Sequence, residues 1–142
     1  MRRRKLLIAD DSEMNRAILA NVLDQEFEVI EATNGQEVII ALQSYGTQIS
    51  ALLLDIVMPE MDGFEVLEEM NRRHWIEDIP TIMISAETSN TYIDRAFELG
   101  ASDYISRPFV PGIVRRRIIN TIRLHTKKHQ LMDVVADWVF RR

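Results

Sequence analysis

The sequence has no cysteine, which excludes disulfides and thiolate metal sites and leaves the compartment open on that ground. Its three histidines are scattered and do not make a zinc site. No apolar run approaches the eighteen or so residues that a membrane span needs. The opening "MRRRKLLIADD" starts with the basic segment of a secretion signal, but its apolar part stops after four residues at two aspartates. That is too short for an h-region, so the expected location is cytoplasmic, without membrane contact. No low-complexity linker and no internal repeat divides the chain.

What is present suffices for one domain with a real core: 142 residues, 46% of them hydrophobic. The formal charge of −5 is unevenly spread. From Phe109 onward there are eight Lys/Arg against two Asp/Glu, leaving nine basic and twenty acidic side chains in residues 1–108. An acidic body argues against direct nucleic-acid binding by this segment; the basic end is a contact surface or a solvated helix face.

Short apolar runs alternate with longer amphipathic ones. Residues 5–10 (KLLIAD) read as a strand and 12–25 as a helix capped by Asp11 or Ser12, with Ile18, Leu19, Val22 and Leu23 at helical spacing. FEVIE is a second strand, and Asn34-Gly35 turns into a helix that ends near Gly46. SALLLDI and FEVLEEMNRR form the third pair, and PTIMIS followed by a helix capped at Ser89 or Asn90 forms the fourth. DYIS is the last strand, and no helix breaker follows Gly112. Five strand–helix units in this order predict an α/β domain with a parallel sheet and right-handed crossovers. The unbroken apolar character of LLIA, ALLL and IMI predicts strands covered on both faces.

The run LLLDIVMPEMDG poses a question: three leucines lead straight into Asp55, a charge that is costly to bury unpaired. The chain repeats the move. Asp10-Asp11 ends the first strand, Ser85 ends the fourth and Arg107 follows the fifth. In an open parallel sheet, sites form outside the carboxyl ends of the strands. Three carboxylates packed there repel one another, and a hard divalent cation with oxygen ligands, Mg²⁺ above all, relieves the repulsion. A carboxylate beside bound Mg²⁺ can attack phosphorus and form an acyl phosphate.

The segments LIADD, LLLDIVMPEMDG, PTIMISA, GASDYI and RPF resemble the receiver domain of bacterial two-component response regulators, over residues 5–124. The resemblance implies a doubly wound, flavodoxin-like or CheY-like sheet in the order 2-1-3-4-5. It implies Asp55 as phosphoryl acceptor, and Mg²⁺ held by Asp11, by Asp10 mostly through water, by Asp55 and by the Val57 carbonyl. Ser85 would hydrogen-bond a phosphoryl oxygen, Tyr104 would turn inward when Ser85 moves, and Val57 and Glu87 would tune water attack. A sensor histidine kinase or phosphotransfer protein would be the partner, so the activity is phosphorelay signalling rather than turnover of a substrate. The resemblance also implies a cis bond before Pro108.

One position departs from the family, which places a lysine where Arg107 stands. Arginine keeps the charge but is longer and planar, so a pseudo-receiver that binds partners without phosphate is an alternative. Two unrelated readings fit less well. A haloacid-dehalogenase-type phosphatase wants an acid where Val57 lies, and a flavodoxin-like electron carrier wants a phosphate-cradling loop where DDSEMN would repel phosphate.

A receiver of residues 1–124 leaves 125–142 as a helical extension. Leu124, Leu131, Val135 and Trp138 are spaced by seven, four and three, a coiled-coil-like seam interrupted by Lys128. The expectation is a signalling helix and a homodimer formed through this C-terminal helix or through the face between the fourth and fifth helices. It would lead to an output domain beyond this segment, such as one of the cyclic-di-nucleotide synthesis or hydrolysis type. The alternative is a helix folded back on its own domain.

Overall fold

The computed structural model describes residues 3–141. Five parallel strands, β1 (Arg4–Ala9), β2 (Phe27–Ala32), β3 (Ile49–Leu54), β4 (Thr81–Ser85) and β5 (Asp103–Ser106), form one sheet in the order β2-β1-β3-β4-β5. The helices are α1 (Glu13–Leu23), α2 (Gly35–Tyr45), α3 (Gly63–Arg72), α4 (Asn90–Glu98) and α5 (Pro111–Phe140). The parallel sheet is the one expected from the alternation of elements, and its doubly wound order 2-1-3-4-5 is the one the family resemblance implies.

Successive side chains of a strand face opposite sides, and here both sides are buried. Leu7, Leu52 and Leu54 pack on one face with Val38 and Leu42 of α2 and Leu67 of α3. Leu6, Ile8 and Leu53 pack on the other with Leu19 of α1 and Val114 and Ile118 of α5. Each such Leu or Ile contributes about 1.5–3 kcal/mol when withdrawn from water. That two-sided demand explains why the central strands read as continuous apolar runs rather than alternating ones.

The chain turns at the carboxyl end of the sheet are fixed by local chemistry. Ser12, Asn34, Asp62 and Ser89 cap α1 to α4, each side chain accepting from a backbone N–H in the first turn; caps of this kind are worth about 1 kcal/mol. Asp62 and Glu65 complete a reciprocal capping box. Gly63 opens α3 where a Cβ would overlap the Asp55 carbonyl oxygen, and its N–H donates to Ile56 O at 2.8 Å. Gly63→Ala is therefore expected to cost about 1–3 kcal/mol in chemical denaturation, through overpacking against backbone. An unchanged midpoint would show that the loop yields freely.

The C-terminal helix is continuous for 30 residues, about 45 Å. Val114, Ile118 and Ile122 are buried against the sheet. Beyond them, His125 Nε2 lies 3.1 Å from the Asp78 carbonyl oxygen and His129 Nε2 3.3 Å from that of Glu77. Burial and the adjacent His129 ring push the His125 imidazole below its ordinary pKa. From Leu131 to Arg141 the side chains are exposed, Val135, Trp138 and Phe140 among them, so this described end of the helix is not packed on its own domain. No helix among the described residues is long and apolar enough to cross a membrane.

Candidate functional site

The site is built from the loops that follow β1, β3, β4 and β5. Asp10 leaves β1 with its N–H donating to Ala32 O at 3.1 Å, and Asp55 leaves β3 with its N–H donating to Ala9 O at 2.9 Å. These bonds carry the sheet's ladder one residue past the strands and bring the two carboxylates side by side. Oxygens of Asp10, Asp11 and Asp55 lie within 4.8 Å of one another. Asp10 is wholly buried, Asp55 is buried and Asp11 is exposed. The Asp10 carboxylate accepts from Ser12 N–H at 2.9 Å, and its backbone carbonyl accepts from Arg16 Nη1 at 2.7 Å.

Burial raises the Asp55 carboxyl to about 6; Arg107 pulls it down, Asp10 pushes it up, a backbone hydrogen bond from Val57 lowers it and Asp11 raises it. A buried acid crowded by two others is an unfavourable arrangement without a cation. The donor set consists of hard oxygens, with no sulfur or imidazole, and it suits Mg²⁺ better than a transition metal. Val57 follows in the β3–α3 loop with its side chain exposed.

Ser85 closes β4 and is buried; its Oγ accepts from Glu87 N–H at 3.1 Å. Tyr104 of β5 is buried too, and its hydroxyl donates to the Glu87 carbonyl at 2.6 Å. Burial pushes the Tyr104 phenol above its ordinary pKa. Ser85 and Tyr104 are thus tied to the two ends of one residue's backbone, a link that the sequence does not display because it runs through main-chain atoms.

Arg107 follows β5, its N–H donating to Ser85 O at 2.9 Å, and the Arg107–Pro108 bond is cis. Its guanidinium points inward. Nη2 donates to Asp10 Oδ2 and lies 3.6 Å from Asp55 Oδ2. Arg16 is the site contact the sequence reading left out. Its position in the first half of α1, five residues after the acidic pair, was the available signal; it also pairs with Glu31 at 3.1 Å.

Residues 6–119 match the family described as the response regulator receiver domain. The chain belongs to this family. As a receiver it is 40% identical over 137 residues to Response regulator RR06 of Streptococcus pneumoniae, an alignment covering 94% of this chain and 61% of that protein. It is 38% identical over 121 residues to the transcriptional regulatory protein SrrA of Staphylococcus aureus, covering 84% of this chain and 48% of that one. The receiver thus spans roughly half to three-fifths of the length of these relatives. Its fold superposes on a CheY-like receiver domain protein from Methanospirillum hungatei with a TM-score of 0.81 at 23% identity, covering 89% of this chain and 98% of the other. A putative two-component response regulator/GGDEF domain protein gives 0.79 at 26% identity, covering 86% of this chain and 50% of that one.

Proposed function

We propose that this receiver takes a phosphoryl group onto Asp55 from a phosphohistidine of a sensor kinase or phosphotransfer protein, in a Mg²⁺-dependent step, and relays the change to a partner surface or output domain. The carrying observation is a buried Asp55 beside Asp10 and Asp11 at the carboxyl end of the sheet. An Asp55 carboxylate oxygen attacks phosphorus; the P–N bond breaks, its electron pair goes to the imidazole, and an acyl phosphate forms. Mg²⁺ bound by Asp10, Asp11, Asp55 and the Val57 carbonyl would neutralise charge on the phosphoryl oxygens. Arg107 and the Ser85 hydroxyl supply donors for those oxygens. Ser85 and Tyr104 share Glu87, so a Ser85 hydroxyl that turns toward phosphate disturbs the anchor of Tyr104. Intact mass after incubation with acetyl phosphate, with and without Mg²⁺, tests the reading. An unchanged wild-type mass would instead select the phosphate-independent pseudo-receiver, the reading that Arg107's bond to Asp10 favours.

The output route we infer is α5. Leu131, Val135 and Trp138 follow one another at spacings of four and three, exposed and flanked by Met132, Val134 and Val139. Soluble surfaces rarely leave so contiguous an apolar stripe uncovered. A second copy pairing along this stripe, or along the face between α4 and α5, would bury it. Light scattering is expected to give a dimer for the whole chain and a monomer after truncation behind Gln130, which keeps both histidine contacts. A whole chain that stays monomeric at high concentration, with and without phosphodonor, would exclude the pairing.

A further inference from the structure

We infer that Arg107 is a built-in counter-cation of the acidic pocket, occupying ground that Mg²⁺ must take, so that metal loading requires its guanidinium to leave Asp10. The inference rests on the phosphoacceptor reading above and adds a regulatory step to the same site. One guanidinium nitrogen, Nη2, donates to Asp10 Oδ2 and lies 3.6 Å from Asp55 Oδ2. Those two carboxylates belong to the group whose oxygens all fall within 4.8 Å. Mg²⁺ needs near-octahedral oxygen ligands at about 2.0–2.1 Å and keeps several waters. A guanidinium nitrogen set between two of three acids leaves no room for such a hydrated ion, and its charge repels a dication.

Asp10 makes the competition strong. Its carboxylate is wholly buried, and its other oxygen is engaged by Ser12 N–H at 2.9 Å. Removing Arg107 without a replacement would strand a buried charge, which is strongly unfavourable. Arg107 and metal are therefore alternative solutions to the same electrostatic problem. The same edge of the guanidinium supports a second position: Nε, whose N–H points to the side of Nη2, is buried and donates to no protein acceptor. A buried donor without a partner is costly, and a group released from Asp10 can satisfy it on a phosphoryl oxygen. Arginine's planar fork suits two oxygens at once, so its cost to metal binding and its gain on phosphate come from the same geometry.

Calorimetric titration with Mg²⁺ of wild type, Arg107→Met and Arg107→Gln tests the exchange, with 15N spectra following the Arg107 Nε–H signal of the unsubstituted chain. A hydrogen bond to a charged group corresponds to roughly tenfold or more in an equilibrium constant, so Arg107→Met is expected to bind Mg²⁺ at least about tenfold more tightly. The wild-type Nε–H signal should move with the calorimetric midpoint. Equal Mg²⁺ affinity in wild type and both variants, or an Nε–H signal indifferent to saturating Mg²⁺, would overturn the exchange and leave the metal site standing. No Mg²⁺ binding by any of the three would overturn the metal site and the exchange together. The spectral arm uses the natural side chain, so a variant that folds poorly does not remove the test.

Discussion

Incubated with acetyl phosphate and Mg²⁺, the wild-type chain is expected to gain the mass of one phosphoryl group and Asp55→Asn to gain none. The carboxylate is the only atom group that can both attack phosphorus and hold it as an acyl phosphate; an amide nitrogen conjugated to its carbonyl does neither at a useful rate. The change keeps shape and volume, so the loop that follows β3, including the Gly63 N–H bond to Ile56 O, has no reason to move. Its effect should be on chemistry alone. Asp10 and Asp11 are the control within the same pocket, since their oxygens share the cluster with Asp55. If either were the acceptor, Asp55→Asn would still gain mass. A gain equal to wild type would remove Asp55 from the role, and the modified peptide would identify its replacement.

Much of this architecture was readable from residue order because the physics that sets it is local or periodic. The LLIA, ALLL and IMI runs declared strands covered on both faces, and β1, β3 and β4 are buried as that pattern requires. Helix starts were announced by Asp11 or Ser12, by the Asn34-Gly35 turn and by Ser89 or Asn90, and the caps are Ser12, Asn34 and Ser89. Boundaries were less accurate. The third strand runs Ile49–Leu54, a residue earlier than expected and ending before Asp55, because its register is set by pairing with neighbours distant in sequence. The short 3₁₀ turn Gly46–Gln48 was not foreseen, since Gly46 reads equally well as a simple helix stop. At the site, Asp10, Asp11, Asp55, Ser85 and Arg107 were visible as polar residues at strand ends, whereas Tyr104, inside β5, came only with the family resemblance. Their connections were not. Arg107's choice of Asp10 as hydrogen-bond partner, Arg16's bond to the Asp10 carbonyl and Glu87's backbone bridge all depend on distances of a few ångströms between loops. His125 and His129 escaped for a related reason: four residues apart on a helix they share a face, but the loop carbonyls they meet are 47 and 52 residues away.

In the presence of chelator, Asp55→Asn is also expected to be more stable than wild type at neutral pH, by about 1–3 kcal/mol. The cause is burial, which raises the Asp55 carboxyl from 3.8 to about 6; each pKa unit corresponds to about 1.4 kcal/mol. The direction follows from proton counting. Between about pH 4 and pH 6 the folded chain holds the Asp55 proton while the unfolded chain has released it. Wild-type stability on this account falls as pH rises through that window. Below the unfolded pKa both states are protonated and the group costs nothing; above the folded pKa the full cost is present. Other carboxylates titrate over the same range, so the informative quantity is the difference between variant and wild type. Urea unfolding at several pH values should show that difference near zero at pH 4, growing through pH 5 and 6, and level above pH 7. The asparagine is a neutral stand-in for the protonated acid, and it also removes the repulsion from Asp10 and Asp11. A difference that is constant across pH would mean that Asp55 ionises in the folded chain as readily as in the unfolded one. The crowding and burial at the end of β3 would then carry no electrostatic strain for a cation to relieve.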